Sequence, residues 1–437
     1  MFAFNYLKSS QYKIILAIAV PMIISNITTP LLGLVDTAIL GHLPHPHMLA
    51  GVALATAVIS SLVWLCGFLR MSITGLTAQA TEQPDASTKT TVLLYQGVFL
   101  ALLLSLPVYV FHTTLLEFAL SLSDTTKEAA QSATSYFSIR ILAFPASLIN
   151  LVLTGWLLAQ GQAKTIMFMQ ININLINLFL DLVTVYGFNM GVEGVALASM
   201  VAEWTGTVLL LRPVLQRLDS KGVRSAYQAL SLKRSKAFLT TNTDILLRSL
   251  LLQSSLIFMT FQGARFGENI VAANAVLMNF LIFIALGLDG IAYAAEVLCG
   301  RHFGAHNKQK LHETIIGCGL LTFYLAVFYT LLFAFSGTFI IQLMTDLDSI
   351  RATANQYLIY IILLPACAAG CFLLDGIFVG LADGKAMRNS MAISVLVVYF
   401  PLFFMLQELE NHALWLALLA MMLMRSITLT WRLRLYI

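Results

Sequence analysis

The chain has 437 residues, of which 59% are hydrophobic and 11% charged, with a net charge of +4 and a mean hydropathy of +0.84. Soluble domains carry about 25% charged residues, so a water-soluble core is excluded. The basic residues sit in short segments between apolar runs, which excludes a nucleic-acid-binding face.

Apolar runs that can each cross a hydrocarbon core of about 30 Å recur from end to end. Twelve spans are expected, at 14–40, 48–76, 91–112, 131–158, 165–187, 191–211, 242–264, 270–298, 312–341, 352–380, 387–406 and 412–431. The N-terminus "MFAFNYLKSSQYK" has lysines before the first run but no small-residue cleavage site after it, so the first span is read as retained. The alternating pattern of an outer-membrane barrel is absent.

Span one holds "PLLGLVDTAILGH", in which Asp36 stands among Leu, Val, Ala and Ile. An ionisable group at membrane depth is costly and points to function. At 100° per residue Ser25, Thr29 and Asp36 share one face. Pro21 and Pro30 bracket that polar segment, and each removes a backbone hydrogen bond, so either a hinge at Pro21 or a static kink is expected. The histidines of "GHLPHPH" lie between prolines and read as a turn, not a metal site.

Span four brings Tyr136 and, a turn deeper, Arg140, which either snorkels or pairs with an acid. In span five Gln170, Asn174, Asn177 and Asp181 recur at steps of four, three and four, one continuous polar stripe. Asp181 and Asp36 lie at similar distances from the outer ends of their spans. Ser199 and Glu203 share a face of span six. The segment 216–240 is read as a cytoplasmic linker between lobes 1–215 and 241–437. Its many Lys and Arg, with Lys8, Lys89, Lys164 and Arg301 among others on the same side, place both termini in the cytoplasm. The C-terminal half has its own acids, Asp289, Glu296 and Asp375, which form either a secondary cation site or interhelical hydrogen bonds. Five cysteines, none in a CxxC pair, read as small packing residues.

The halves resemble each other. "ILGHLPHPHMLAGVAL" is echoed by "FQGARFGENIVAANAV", "YFSIRILAFPA" by "YLIYIILLPA" and "GWLLAQGQAK" by "GIFVGLADGKA", in the same order and about 220 to 223 residues apart. Six spans per repeat keep both repeats in the same orientation, with a pseudo-twofold axis along the membrane normal. The offset maps Asp36 onto Phe258 and Asp181 onto Phe403. Acids needed by the architecture would recur in both lobes, so the chemistry is expected in the first.

"PMIISNITTPLLGLVDTAILGHL", "GWLLAQGQAKTIMFMQININLINLFLD", "GVEGVALASMVAEW" and "LDGIAYAAEVLCGRHFGAHN" together resemble the multidrug and toxic compound extrusion (MATE) family, in its DinF-like branch. The resemblance implies an all-α polytopic protein, with two pseudo-twofold-related six-helix bundles around a central cleft. It implies export of organic, often cationic, compounds, driven by entry of H+ or Na+. It also implies a cation site at Asp36, Asp181 and Asn177, with Tyr136 as neighbour. Asn174 and Ser199 complete the expected polar set.

Two buried carboxylates are expected to titrate as a unit and share a proton, which favours H+ as coupling ion. Oxygen groups of Asp36, Asn177, Asp181 and Ser199 make Na+ the alternative. A flippase for lipid-linked precursors is a further alternative, but its polyanionic cargo calls for several cleft-facing cations. No enzyme motif is present: "LGLDG" has Gly and Asp in the wrong order for an intramembrane aspartyl protease, and "HETII" lacks a second histidine. The expected protein needs no cofactor or metal, works as a monomer in the cell inner membrane, and has drug-like substrates and the lipid bilayer as partners.

Overall fold

The computed structural model describes residues 9–41, 45–121, 125–229 and 236–437; in the first helix the side chains of residues 9, 10, 29, 31, 32 and 34–36 lie outside the described set. Every regular element among the described residues is a helix. Twelve helical stretches are long and apolar enough to cross a membrane, one for each expected span.

The chain divides into two compact units, Ile24–Phe238 and, discontinuously, the part up to Ile23 together with Leu239–Ile437. Helix α1 (Ser9–Gly41) is therefore shared, and the change of unit falls two residues after Pro21.

In the first unit α2 (Pro46–Leu65) and α3 (Phe68–Ala80) form one span, interrupted at Cys66 and Gly67. Then come α4 (Ala86–Val110), a short α5 (His112–Ser121), α6 (Lys127–Arg140) and α7 (Phe144–Ala159). A single 3-10 turn, Ile141–Ala143, joins α6 to α7, where Pro145 supplies no backbone donor. The unit ends with α8 (Ala163–Asp181), α9 (Gly191–Leu215) and α10 (Ser220–Ala229). Helix α7 is central and packs on α3, α4 and α9. Its Trp156 is fully buried and donates its indole N–H to the Thr90 carbonyl at 2.8 Å.

The second unit contains α11 (Lys236–Phe266), α12 (Glu268–Gly304), α13 (Lys308–Met344) and α14 (Asp348–Gly380). It closes with α15 (Gly384–Ala392), α16 (Phe400–Met405) and α17 (Asn411–Leu433). Here α14 is central, against α12, α13 and α17. Trp415 is the buried tryptophan, donating to Asn274 Oδ1 at 2.9 Å, while Asn274 and Asn411 exchange amide bonds at 2.7 and 3.0 Å.

The duplication is visible in the backbone. Asp85, Gly161 and Asn189 have positive φ, and so do His306, Ala382 and Glu410, each 221 residues later. Glycine takes that conformation freely at Gly161; Ala382, in the matching turn, bears the steric cost of its Cβ. The helix contacts are duplicated too. A Cβ at Gly155 would lie 2.6 Å from the Arg70 carbonyl oxygen, and one at the matching Gly376 would lie 2.5 Å from that of Ala292. In lipid, apolar side chains gain little by leaving the hydrocarbon, so close backbone approach at small residues is what holds helices together. The large apolar residues of α13 that remain exposed, such as Phe335 and Phe339, suit contact with acyl chains.

The segment 216–240 has structure of its own: α10 lies within it, and α11 begins at Lys236. Asp219 precedes α10, accepts backbone N–H bonds from Lys221 and Gly222, both at 3.3 Å, and receives the Thr88 hydroxyl at 3.0 Å. Gly222 packs against Thr91, where a Cβ would come within 2.7 Å. The start of α10 is thus tied to the start of α4.

Candidate functional site

The polar stripe of span five lies along α8. Gln170 donates its side-chain amide to Asn174 Oδ1 at 3.1 Å, and Asn177 donates to Asp181 Oδ2 at 2.7 Å. Spacing of four residues puts each pair one turn apart on the same face. The stripe grades from half-buried Gln170 and Asn174 to Asn177 and Asp181, which are 2% and 0% exposed. Beyond Asp181 the helix widens into a π-type turn, Leu182–Gly187. Thr184 sits in that turn, its hydroxyl 3.0 Å from the Gly194 carbonyl of α9. Such turns are frequent at functional sites, and the second unit has one as well, at Ile393–Tyr399. The turn at Leu182–Gly187 anchors the end of α8 to α9 next to the buried carboxylate.

Tyr136 on α6 and Ser199 on α9 are both buried. Helix α9 packs on α6 and on α8, so the helices that bear Tyr136, Ser199 and the stripe are neighbours in one unit. Asp36 stands in α1, but its side chain lies outside the described residues, as does that of Thr29.

A second polar cluster joins α6, α7 and α9. Arg140 pairs with Glu203 at 3.7 Å, and Asn150 donates to Glu203 Oε1 at 3.0 Å and to its backbone carbonyl at 3.2 Å. Of the two alternatives for Arg140, pairing with an acid is the one realised. Asn150 was not anticipated. It is a lone amide in the apolar run "FPASLINLVLTGW", and its partner stands 53 residues away on another helix.

In the second unit Asp375, one of the three acids of the alternative secondary cation site, is engaged by arginines. Asp375 of α14 accepts from Arg425 of α17 at 2.5 Å and from Arg248 of α11 through the same Oδ2. A carboxylate that already meets two guanidinium charges has none left for a third cation. Glu296 is buried on α12, as Asp289 is half-buried two turns earlier. Among the described residues no group of three or more His, Cys, Asp or Glu side chains is close enough to hold a metal ion. The turn at His42 to Leu43 and Pro44 lies outside the described residues.

Where the first unit carries acids, the second carries aromatic rings. Phe258 meets Phe403 at 5.0 Å and Phe400 at 5.1 Å between centroids, both nearly perpendicular. Tyr399, four residues before Phe403 as Asn177 is four before Asp181, donates its hydroxyl to the Ser255 carbonyl at 3.0 Å.

The MatE family model matches the chain twice, over residues 21–183 and 245–405. The chain belongs to the MATE multidrug efflux transporter family. The double match coincides with the internal duplication. DNA damage-inducible protein F of Escherichia coli is 39% identical over 97% of this chain and 93% of its own length. The probable multidrug resistance protein NorM of Photorhabdus laumondii is 24% identical over 91% of this chain and 88% of its own. Among solved structures, an outward-facing multidrug resistance MATE transporter of the MOP superfamily superposes with a TM-score of 0.86 at 18% identity. It covers 97% of this chain and 96% of the other. A MOP superfamily transporter from Pyrococcus furiosus superposes with a TM-score of 0.82 at 17% identity, over 97% and 96% of the two chains. As a MATE protein this chain is a multi-pass membrane transporter and not an enzyme, and the family requires no cofactor.

Proposed function

We propose that this MATE transporter exports organic, often cationic, compounds by antiport with H+. Asp36 and Asp181 exchange the proton. Asn177, Asn174, Tyr136 and Ser199 form the polar surroundings, and Pro21 is the bending point of α1. The observation that supports this most is the Asn177–Asp181 pair: a fully buried carboxylate at the end of a hydrogen-bonded amide stripe. The duplication adds support for the juxtaposition with Asp36. Phe258 and Phe403, the residues at the matching positions of the other lobe, touch each other. The change of compact unit along α1 next to Pro21 is consistent with a bend there.

The lobes of this reading are residues 1–215 and 241–437, joined by the segment 216–240. The transporter sits in the cell inner membrane and works as a monomer. Both termini face the cytoplasm, because the loops on that side hold most of the Lys and Arg.

The test is efflux of a fluorescent cationic dye from proteoliposomes, with pH and Na+ gradients imposed separately. Efflux should follow the pH gradient at constant Na+. Asp181→Asn should abolish it with expression intact, and Pro21→Ala should slow turnover more than it weakens dye binding. A strict Na+ requirement would reject proton coupling; undiminished efflux by Asp181→Asn would reject the site.

A further inference from the structure

The first turns of α15 and the last turns of α17 enclose a cavity of about 310 Å3. Its rim carries Lys385, Asn389 and Arg432. Its floor is closed by Ser390 and Thr428, whose hydroxyls bond to each other at 2.6 Å. Lys385 is exposed and has no ion-pair or hydrogen-bond partner among the described residues. Arg432 is held through Nε by Asp383 Oδ2 at 3.4 Å and also meets the Tyr436 hydroxyl. Asp383 is itself shared: it accepts the Ala386 N–H at 3.0 Å and the Tyr436 hydroxyl at 2.7 Å. Two cations therefore border the cavity and a single, divided carboxylate answers them.

The walls are apolar. Trp431 and Ile393 line the cavity and are 70% and 41% exposed. Ile427, one turn before Trp431, and Val397, one turn after Ile393, are 62% and 64% exposed. Helix α15 leaves the cavity where α17 arrives at it, so both exposed apolar tracks run from the cationic rim into the spanning part of the helices. A soluble anion has no use for such tracks; a two-chain lipid does. Tryptophan at the end of a span is also the side chain that prefers the headgroup level.

We propose that this cavity is a binding site for the phosphate headgroup of an anionic phospholipid, with Lys385 and Arg432 at the phosphate and the acyl chains along Trp431–Ile427 and Ile393–Val397. It lies wholly within one compact unit and does not depend on the coupling-ion reading.

The experiment measures quenching of tryptophan fluorescence by brominated phosphatidylglycerol or brominated phosphatidylcholine, in nanodiscs of the intact transporter at equal mole fractions. Trp431→Phe supplies the baseline of the other four tryptophans. Phosphatidylglycerol should quench Trp431 preferentially. The preference should fall about fivefold in Lys385→Gln, and further in Lys385→Gln/Arg432→Gln, since one Lys or Arg near an anionic surface is worth about a fivefold change in binding. Lys310→Gln, an exposed cation elsewhere at a helix end, should change nothing. Three results overturn the proposal: no preference in the wild type, an equal loss in Lys310→Gln, or full displacement of the lipid by soluble glycerol phosphate. The exposed Lys385→Gln alone decides the matter if the double variant does not fold.

Discussion

Replacing Asp375 by Asn keeps the size of the side chain and removes its charge. In the native protein one carboxylate oxygen holds Arg248 and Arg425, with side-chain exposures of 12% for Asp375, 12% for Arg248 and 5% for Arg425. The asparagine carbonyl oxygen can still accept hydrogen bonds, but it carries no formal charge, so neither guanidinium charge is answered. Removing one partner of a buried ion pair costs about 3–5 kcal/mol, most of it the penalty of the stranded charge. Arg248 retains some access to solvent, so the lower half of that range is expected. Spread over a unit of this size, it corresponds to a fall of roughly 10 °C in the unfolding midpoint. The assay is thermal unfolding of the purified transporter in detergent, with monodispersity as a second readout. Asp375→Asn/Arg425→Met, which removes one stranded cation as well, should recover part of the loss, because residues in one network do not add. A midpoint for Asp375→Asn within 2 °C of wild type, about one kcal/mol on the same scale, would refute the reasoning. It would return Asp375 to the list of candidate ion ligands.

The duplicated close approaches make a paired prediction: Gly155→Ala and Gly376→Ala should destabilise by similar amounts, about 1–3 kcal/mol each. In both, the new methyl meets a backbone carbonyl and not a movable side chain; a large effect in one lobe alone, read by the same thermal assay, would contradict the structural equivalence. Asp219→Ala should release the start of α10 and speed limited proteolysis of the segment before α11 severalfold, the wild-type band pattern being the control. The Thr88 hydroxyl, with the Lys221 and Gly222 N–H groups, holds the Asp219 carboxyl below its ordinary 3.8. Its folded-state value is depressed, so its contribution is present above pH 3.8 and disappears as pH falls through the lowered value. Protection from an acid-active protease should weaken in that window and not near neutrality.

The spans were legible because each is an unbroken apolar run, and hydrocarbon leaves the backbone of such a run no choice but helix. The polar stripe of α8 was legible for the same reason: helical spacing fixes which residues share a face before any neighbour is known. Interruptions were not. The 3-10 turn at Ile141–Ala143 and the π-type turn at Leu182–Gly187 exist through contacts such as Thr184 with Gly194, and a contact across helices has no signature in one sequence. The same limit applied to pairing. Arg140 and Glu203 each read as a polar residue in an apolar run, but their meeting with each other and with Asn150 depends on the rotation of three helices. For Asp375 the sequence leaves a secondary cation site and interhelical bonding both open, because an acid inside a span suits either an ion or an arginine. Its arginines stand 127 and 50 residues away.

The two lobes keep one backbone and differ in what their buried carboxylates are bonded to, and that difference bears on which lobe can carry a proton. Arginine stays charged at any physiological pH. Asp375 is the counter-charge of both Arg248 and Arg425. The bond that Asp181 receives from Asn177 comes from a neutral amide, and an amide also offers a carbonyl oxygen that can accept from a protonated carboxyl after a flip. Asp181 thus meets a neutral amide, while Asp375 meets two fixed positive charges. The matching positions of the second lobe hold Tyr399, Phe403 and Phe258, of which only the tyrosine hydroxyl is polar, and that hydroxyl is already committed to the Ser255 carbonyl. A duplicated transporter needs a changeable charge in only one of its halves. On the proposed reading, the amide stripe belongs to the half that exchanges the proton, and the aromatic cluster and the ion pair belong to the other.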